Sequence, residues 1–387
     1  MSKEHSLPSV RLPLETLTPL FLGGADPRGD PELRASSVRG ALRFWLRALL
    51  GGCYGTDDQA LAEIRRLEAE TFGEAGGEGK AGASKIVVRV RQEQQSAPQE
   101  RRVARGSGRA YLFFSFFSMA ASRARDQEIP ARRALAPPYL FSIDLLARPG
   151  VDEREAREAL YGAVRSAWLL LHLGGLGARA RRLGGALAHR PVPRRSPDGR
   201  MTQVVPSHLN LPFVLSPSPK EAAQQLGESL TQLRRRLEAR PDANPDRPRW
   251  EVLDPAWCRI WIFGERSWTS GERGWPTVAD AIGEWLRETR RALPTEQRLV
   301  FGAPLVIPKQ HKTIEPPSGY ERRERRPSPL WLSVTRAENE NLLGVATLFQ
   351  SRFLPLRRGG EEQLERLYAQ IAAAVAQLPN VAEVQYA

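Results

Sequence analysis

Apolar residues recur along the chain at the two spacings that distinguish helices from strands. Positions three or four residues apart predict amphipathic helices, and they define the segments 36–50, 58–71, 152–173, 220–238, 277–293 and 361–378. Short alternating or continuous apolar runs predict strands, at 10–22, 86–90, 111–117, 139–146, 259–263, 299–307, 330–335 and 344–353. The order of these segments predicts an α+β fold, in which helices pack on one face of antiparallel sheets.

The length of the chain predicts two domains. A chain of 387 residues exceeds one ordinary domain, and Pro, Ser and Arg are concentrated at 191–219. We therefore predict an N-terminal domain at 1–200, which contains a glycine-rich loop, and a C-terminal domain at 201–387. Each half is compatible with a split β-α-β-β-α-β arrangement.

The composition is strongly basic, with 57 Lys and Arg residues against 44 Asp and Glu residues and a formal net charge of +13. Arginine accounts for 51 of the 57 basic residues, and its planar guanidinium suits phosphate recognition. Residues 1–8 show no secretory signal, and no apolar run approaches the ~18 residues of a membrane span. Cys53 and Cys258 are expected to be buried, reduced thiols. We therefore predict a cytoplasmic protein without a membrane partner.

The first predicted helix carries basic residues without acidic ones. Segment 33–56 has no Asp or Glu and contains four arginines: Arg34, Arg39, Arg43 and Arg47. The last three recur every fourth residue and form one stripe on a helix. Ser36 or Ser37 is predicted to cap this helix, and Gly51 and Gly52 to end it. Because a helix N-terminus offers free amide donors, we predict an anion site there; the alternative is a solvated charged face.

A second basic cluster surrounds a glycine-rich segment. Segment 159–197 has no Asp or Glu and contains seven arginines: Arg165, Arg179, Arg181, Arg182, Arg190, Arg194 and Arg195. The glycines lie between 174 and 185, where positive φ values and close backbone approach are available to them. Turns of this kind form concave anion sites. A dinucleotide-binding loop fits poorly, since this segment follows a predicted helix instead of a strand; a helix end with solvent-facing arginines is the remaining alternative.

Together the two clusters indicate a nucleic-acid backbone as the ligand. Contacts to many phosphates dominate the affinity of such complexes, and they carry no base identity. Tyr111, Phe113 and Tyr139 are available for base stacking, but we expect them in the core.

The motifs within these clusters resemble a known family. The chain reads LFLGGAD at 20–26, ELRASSVRGALRFW at 32–45 and GGLGARARRLGG at 174–185. This set resembles the RAMP superfamily and is, more narrowly, similar to the first-numbered Cmr subunits of type III-B CRISPR effector complexes. The resemblance is strong over the first 190 residues and weaker beyond them. One departure is at Leu183, since the family's loop carries an aromatic residue between its last glycines.

The resemblance implies a fold, a function and a set of site residues. It implies two tandem ferredoxin-like (RRM-like) domains and a non-catalytic RNA-binding subunit of a Cmr ribonucleoprotein used in antiviral defence. Its implied partners are the 3′ region of the CRISPR guide RNA, the complementary target RNA and other Cmr subunits, and cleavage is attributed to a different subunit. Matching the motifs position by position assigns RNA binding to Arg34, Ser36, Ser37, Arg39, Arg43, Gly174, Gly175, Gly177, Arg179, Arg181 and Arg182.

Two alternatives from other classes remain open. A metal-independent RAMP endoribonuclease that processes guide RNA would need a general acid or base near the phosphate, and His172 and His189 flank the glycine-rich segment. The apolar surroundings of His172 favour a buried structural histidine, and the absence of carboxylates from both clusters disfavours a two-metal nuclease. A scaffold whose basic face meets an acidic protein is the second alternative. We predict no metal and no cofactor.

Overall fold

The computed structural model describes most of the chain. The described residues are 8–24, 26, 29–74, 82–93, 106–114, 116, 132–195, 201–204, 209–271, 274–295, 297–302, 305–307, 312–314, 327–352 and 360–387. Of the five histidines, His5, His208 and His311 lie outside these ranges. Within the described part, no helix combines the length and apolarity needed to cross a bilayer.

The first half forms an antiparallel sheet with helices inserted between its strands. Its elements are β1 (Ser9–Thr16), α1 (Ala35–Tyr54), α2 (Asp58–Phe72), β2 (Ile86–Gln92), α3 (Gly108–Leu112), β3 (Leu140–Ala147), α4 (Glu153–Leu173) and β4 (Leu187–His189). The strand order is β2-β3-β1-β4, and every neighbouring pair is antiparallel. This order is that of a split β-α-β-β-α-β unit.

The second half repeats this arrangement after a connecting segment. The connecting segment contains β5 (Val192–Arg195), β6 (Met201–Val204) and α5 (Pro219–Arg236). The second unit contains β7 (Cys258–Phe263), α6 (Gly274–Ala292), a 3-10 turn (Gln297–Phe301), β8 (Leu305–Ile307), β9 (Lys312–Ile314), β10 (Leu330–Arg336), β11 (Leu342–Phe349), α7 (Gly360–Val375) and β12 (Ala382–Glu383). Its sheet order, β10-β11-β7-β12, matches that of the first. The predicted α+β class with tandem ferredoxin-like units is therefore confirmed.

Helix α4 packs against both units. It contacts the first sheet through β3 and the second sheet through β10 and β11. Every residue from Ala163 to Leu173 is buried as a result. A helix between two sheets has to be apolar on more than one face, which explains the run of leucines at its C-terminal end. The loop that follows α4 therefore starts at the junction of the two units.

Helix α1 differs from its prediction at both ends. Arg34 is the N-cap and no side chain caps the helix, so Ser36 and Ser37 lie in its first turn instead of capping it. Gly51 and Gly52 lie inside the helix because the chain at Leu253 packs against them. The Leu253 N–H donates to the Ala48 carbonyl at 2.8 Å, and a Cβ on Gly52 would lie 2.2 Å from the Leu253 carbonyl oxygen.

The strand predicted at 111–117 is wrong for its described residues, because Tyr111 and Leu112 belong to the short helix α3 and Phe113 and Phe114 form a turn. Residues 115 and 117 lie outside the described part of the chain. Ser107 accepts a hydrogen bond from the Ala110 N–H at 3.2 Å and caps the helix. Gly108 lies so close to α6 that a Cβ would be 1.9 Å from the Asp280 carbonyl oxygen. The predicted strand at 299–307 is also partly wrong, since its first half forms the 3-10 turn.

The two cysteines are buried, unpaired thiols, as predicted. Burial raises the pKa of Cys53 to about 11, and it raises the pKa of Cys258 as well. A raised pKa keeps a thiol protonated and unreactive at neutral pH. Both cysteines are therefore structural residues of the core.

Candidate nucleic-acid interface

The segment 174–185, here called the glycine loop, connects the two units through backbone hydrogen bonds. On one side the Ala178 N–H donates to the Phe21 carbonyl at 2.8 Å. On the other side the Leu183 N–H donates to the carbonyl of Leu332 in β10 at 2.9 Å. The loop is therefore an integral part of the junction, with an inner side against β10 and an outer side toward solvent.

The glycines of this loop are required by its own packing. A Cβ on Gly174 would lie 2.5 Å from the Trp45 indole nitrogen, and one on Gly175 would lie 2.5 Å from the Gly184 carbonyl oxygen. Gly177 has φ +82°, and a Cβ there would lie 2.4 Å from the Phe21 carbonyl oxygen. Gly174 and Gly175 are buried, whereas Gly177 is exposed. We expected a ligand to approach the backbone closely at all three glycines. This expectation is wrong for Gly174 and Gly175, because both are buried.

Arg181 and Arg182 lie on the inner side and are bound by other parts of the protein. Arg181 donates to a carboxylate oxygen of Glu251 at 2.6 Å and to the Ser328 carbonyl at 2.7 Å. Its guanidinium also lies 4.5 Å from the Trp331 ring centroid. Arg182 donates to the Phe301 carbonyl at 3.1 Å, and desolvation, then the charge of Arg290, lower its pKa to about 10. The expectation that these arginines are uncompensated is wrong for Arg181, whereas Arg182 has a carbonyl partner and no carboxylate among the described residues.

Arg179 lies on the outer side. It adopts φ +63°, a left-handed conformation uncommon outside glycine, and it donates to the Phe114 carbonyl at 2.7 Å. Its guanidinium lies 5.1 Å from the Phe116 ring centroid, and that of Arg132 lies 4.5 Å from the same ring. Burial, followed by the charge of Arg132, lowers the pKa of Arg179. Among the described residues, neither arginine has a carboxylate partner.

The start of α1 lies next to this outer side. Arg34 donates to the Gly23 carbonyl at 3.0 Å, two residues after the Phe21 carbonyl that accepts from the glycine loop. Arg34 has a long, exposed ion pair with Glu32, whose carboxylate oxygen is 3.9 Å from its Nε. The first turn of α1 contains no acidic residue. We call Arg34, Arg132 and Arg179 the basic edge.

Arg43 and Arg47 share one carboxylate of α2, contrary to the expectation that nothing offsets their charge. A carboxylate oxygen of Glu68 lies 3.0 Å from Arg43, and the other lies 3.4 Å from Arg47. Arg43 also donates to the Phe72 carbonyl at 2.9 Å, so it binds the C-terminal end of α2, where a cation is favoured by the helix dipole. The sequence pattern around α1 cannot reveal this pairing, because Glu68 belongs to the next helix.

Arg39 remains exposed, but the structure does not place it beside the glycine loop. Phe44 marks the side of α1 that faces the loop, since its ring lies 5.9 Å from the Arg181 guanidinium. Five residues correspond to a rotation of about 140° around a helix axis. Arg39 therefore lies across the width of α1 from Phe44 and Arg181.

The two histidines that flank the loop are buried. His172 is 1% exposed, and its ring nitrogens lie 3.0 Å from the Thr335 hydroxyl and 3.0 Å from the Pro212 carbonyl. Desolvation lowers the pKa of His172 to about 4. His189 is 0% exposed, with its ring 5.1 Å from that of Phe213.

The sequence analysis missed the aromatic and basic residues that follow α3. Phe113 and Tyr139 are buried in the core as expected, but Phe114 is 49% exposed. Arg132 lies beside the glycine loop through its contact with the Phe116 ring, which also contacts Arg179. The available signal was the aromatic run at 111–117, which contains more large rings than one short element can bury.

Comparison with known proteins places this fold and this loop in one family. The RAMP superfamily matches residues 13–187. The CRISPR system Cmr subunit Cmr1-2 of Pyrococcus furiosus is 32% identical over 180 residues, which are 45% of this chain and 91% of the relative. Cmr subunit Cmr1-1 of the same organism is 24% identical over 344 residues, 88% of each chain. The chain therefore belongs to the RAMP superfamily.

Solved structures share the fold over nearly the whole chain. The crystal structure of Cmr1 from Pyrococcus furiosus in its apo form has a TM-score of 0.57 at 21% identity and covers 98% of this chain and 99% of its own. A chain from the cryo-EM structure of the type III-B Cmr-beta bound to cognate target RNA has a TM-score of 0.51 at 13% identity, covering 94% and 100%. Within the superfamily, the chain is a Cmr subunit.

Proposed function

We propose that this chain is a non-catalytic RNA-binding subunit of a type III-B CRISPR effector complex. In that complex it assembles with other Cmr subunits, binds the 3′ region of the guide RNA and helps to capture the complementary target RNA. One of its structural neighbours belongs to a Cmr assembly bound to target RNA, which supports RNA as the ligand class.

The observation that carries this proposal is the basic edge. Arg132 and Arg179 have no carboxylate partner among the described residues, and the first turn of α1 beside Arg34 contains no acid. Guanidinium groups and free helix amides both favour phosphate oxygens. Such contacts bind an RNA backbone without reading its sequence.

The burial of the histidines supports a non-catalytic role. A general acid or base has to come within hydrogen-bond reach of the atom it protonates or deprotonates. His172 has both ring nitrogens engaged by Thr335 and Pro212, and a pKa of about 4 is poorly matched to proton transfer near neutral pH. In the described part of the chain, no observation favours the ribonuclease over the binding subunit.

A binding and cleavage assay tests this function. Purified full-length chain is incubated with labelled CRISPR repeat RNA in EDTA, together with Arg34→Glu and Arg179→Glu variants. We expect salt-dependent binding that both variants weaken, with the RNA remaining intact. Arg157→Glu is the matched control, because Arg157 is an exposed α4 residue paired with Glu153 about 24 Å along the helix from the glycine loop.

Two outcomes contradict the proposal. Site-specific cutting that disappears in a His172→Ala variant would identify a guide-processing ribonuclease. Assembly with other Cmr subunits at full affinity without RNA, combined with no RNA binding by the chain, would identify a protein scaffold.

A further inference from the structure

We infer that Phe114 is a stacking platform for one unpaired nucleobase, whose phosphate is bound by the neighbouring Arg132 and Arg179. This inference rests on the proposed RNA-binding function and adds a defined nucleotide subsite to it. The subsite lies on the segment after α3, outside every motif singled out in the sequence.

The first observation is the exposure of Phe114 and the way its backbone is held. In the described part of the chain, Phe114 is the one large apolar residue that is exposed, with 49% of its surface accessible to solvent. A single exposed apolar residue needs no explanation by itself. Here, however, the Arg179 guanidinium donates to the Phe114 carbonyl at 2.7 Å, so the backbone at Phe114 is held against the outer side of the glycine loop.

The second observation is a pair of like charges around one ring. The Arg132 and Arg179 guanidinium groups lie 4.5 Å and 5.1 Å from the Phe116 ring centroid. Phe116 itself packs against Phe21, with ring centroids 5.2 Å apart. The two cations repel one another, and an anion bound by both would relieve that repulsion.

The third observation is the cost of holding Arg179 in this position. Its φ of +63° is a strained conformation for a residue with a side chain. Burial and the charge of Arg132 lower its pKa, so the surroundings disfavour the charged form. Strain and desolvation at one residue are typical of sites arranged for a ligand that is absent from the free protein.

The chemistry of these groups selects a nucleotide over other anions. The two guanidinium groups of Arg132 and Arg179 suit a phosphate. The exposed ring of Phe114, two residues before Phe116 in the chain, suits a nucleobase. Every base has a π-face, so the subsite accepts any base in a single strand. A base in a duplex is already stacked and is not available to Phe114.

Substitutions at Phe114 test this inference with single-stranded RNA that contains a fluorescent aminopurine base. We expect Phe114→Ala to weaken binding about tenfold, within the range for loss of one stack, and to restore the aminopurine fluorescence that stacking quenches. The salt dependence of the affinity should stay unchanged, because no charge is removed. Phe114→Trp should bind like the parent, whereas Phe114→Leu should behave like Phe114→Ala.

The outcomes separate this inference from the function on which it rests. If the parent binds RNA, Arg179→Glu weakens that binding and all Phe114 variants bind like the parent, the stacking platform is refuted and the function stands. Equal affinity of Phe114→Leu and Phe114→Trp also refutes stacking. If the parent shows no salt-dependent RNA binding, both the function and the subsite fall. Unchanged unfolding midpoints verify that the variants remain folded.

Discussion

The inner and outer sides of the glycine loop use the same residue type for different purposes. On the inner side, Arg181 binds Glu251 and stacks on Trp331, which ties the first unit to the second. On the outer side, Arg179 has a carbonyl and a ring as its neighbours. Arginines two positions apart in the sequence are thus separated into a structural residue and a candidate ligand-binding residue.

This difference shows why clustered charge overstates the size of a binding surface. A guanidinium that donates to backbone carbonyls and carboxylates at a domain junction has little left to offer a phosphate. Arg43 is bound by Glu68 inside the first unit, and Arg181 and Arg182 are bound at the junction by Glu251 and by the Phe301 carbonyl. Arg34, Arg132 and Arg179 lie along one edge. Stability and RNA affinity should therefore respond to different arginines, and four predictions test this separation.

The largest effect is expected at Arg181. Arg181→Ala leaves the half-buried Glu251 carboxylate without its partner and removes the contact with Trp331, so it should lower the free energy of unfolding by about 3 kcal/mol. Denaturant unfolding followed by tryptophan fluorescence measures this loss. Arg157→Ala, which removes an arginine from an exposed pair with Glu153, should leave the unfolding midpoint nearly unchanged. Equal midpoints for the two variants would refute the structural role of Arg181.

The second-largest effect is expected at Gly177, in a turn of the glycine loop. Gly177→Ala combines φ +82° with a Cβ 2.4 Å from the Phe21 carbonyl oxygen, and it should destabilise the fold by about 2–3 kcal/mol. Gly40→Ala is the matched control, since a Cβ at that exposed helical position meets nothing within 4 Å. It should stabilise the chain by up to about 1 kcal/mol. Thermal unfolding of both variants measures these changes in stability. An unfolding temperature of Gly177→Ala equal to that of the parent would contradict the observed loop geometry.

His172, near the C-terminal end of α4, should make the stability of the fold depend on pH. Its folded pKa of about 4 lies below the ordinary value of 6.5, so the unfolded chain takes up a proton that the folded chain does not. Stability should therefore fall as the pH falls below the unfolded value, by about 2 kcal/mol between pH 7 and pH 5. Unfolding curves at several pH values measure the slope, and His172→Gln should lack this contribution. An identical slope in the variant would show that His172 does not remain neutral in the folded state.

The smallest effect is expected at Arg39, which does not belong to the basic edge. Arg39→Glu should weaken single-stranded RNA binding about tenfold and make the salt dependence shallower by roughly one phosphate contact. Its unfolding midpoint should equal that of the parent, because Arg39 is exposed and has no ion pair among the described residues. Arg157→Glu changes the charge equally and serves as control. If Arg39→Glu and Arg157→Glu bind the RNA equally well, the RNA does not contact α1 at Arg39.

Apolar periodicity predicts the elements that build the two sheets and their helices. The segments predicted at 152–173 and 330–335 are α4 (Glu153–Leu173) and β10 (Leu330–Arg336) in the structure. These elements are buried over most of their length, so burial and local pattern agree. The glycine loop, Arg34 and Arg179 were also identified from the sequence, because glycine and arginine without acids form a local signal.

Contacts between distant segments decide the features that the sequence does not reveal. Glu68 neutralises Arg43 only because α2 packs beside α1, and Glu251 reaches Arg181 from 70 positions away. Helix α3 forms where aromatic residues predict a strand, since Gly108 lets it approach α6 closely. Tertiary packing of this kind overrides local propensity.

Photo-crosslinking tests most directly whether the basic edge is the RNA site. Thiouridine-substituted single-stranded RNA is bound to the full chain and irradiated, and the crosslinked peptides are mapped by mass spectrometry. We predict crosslinks at Phe114, Arg132 and residues 177–179, with weaker ones at 34–39 and a marked loss in an Arg179→Glu variant. Crosslinks confined to α6, α7 or other parts of the second unit would contradict the account.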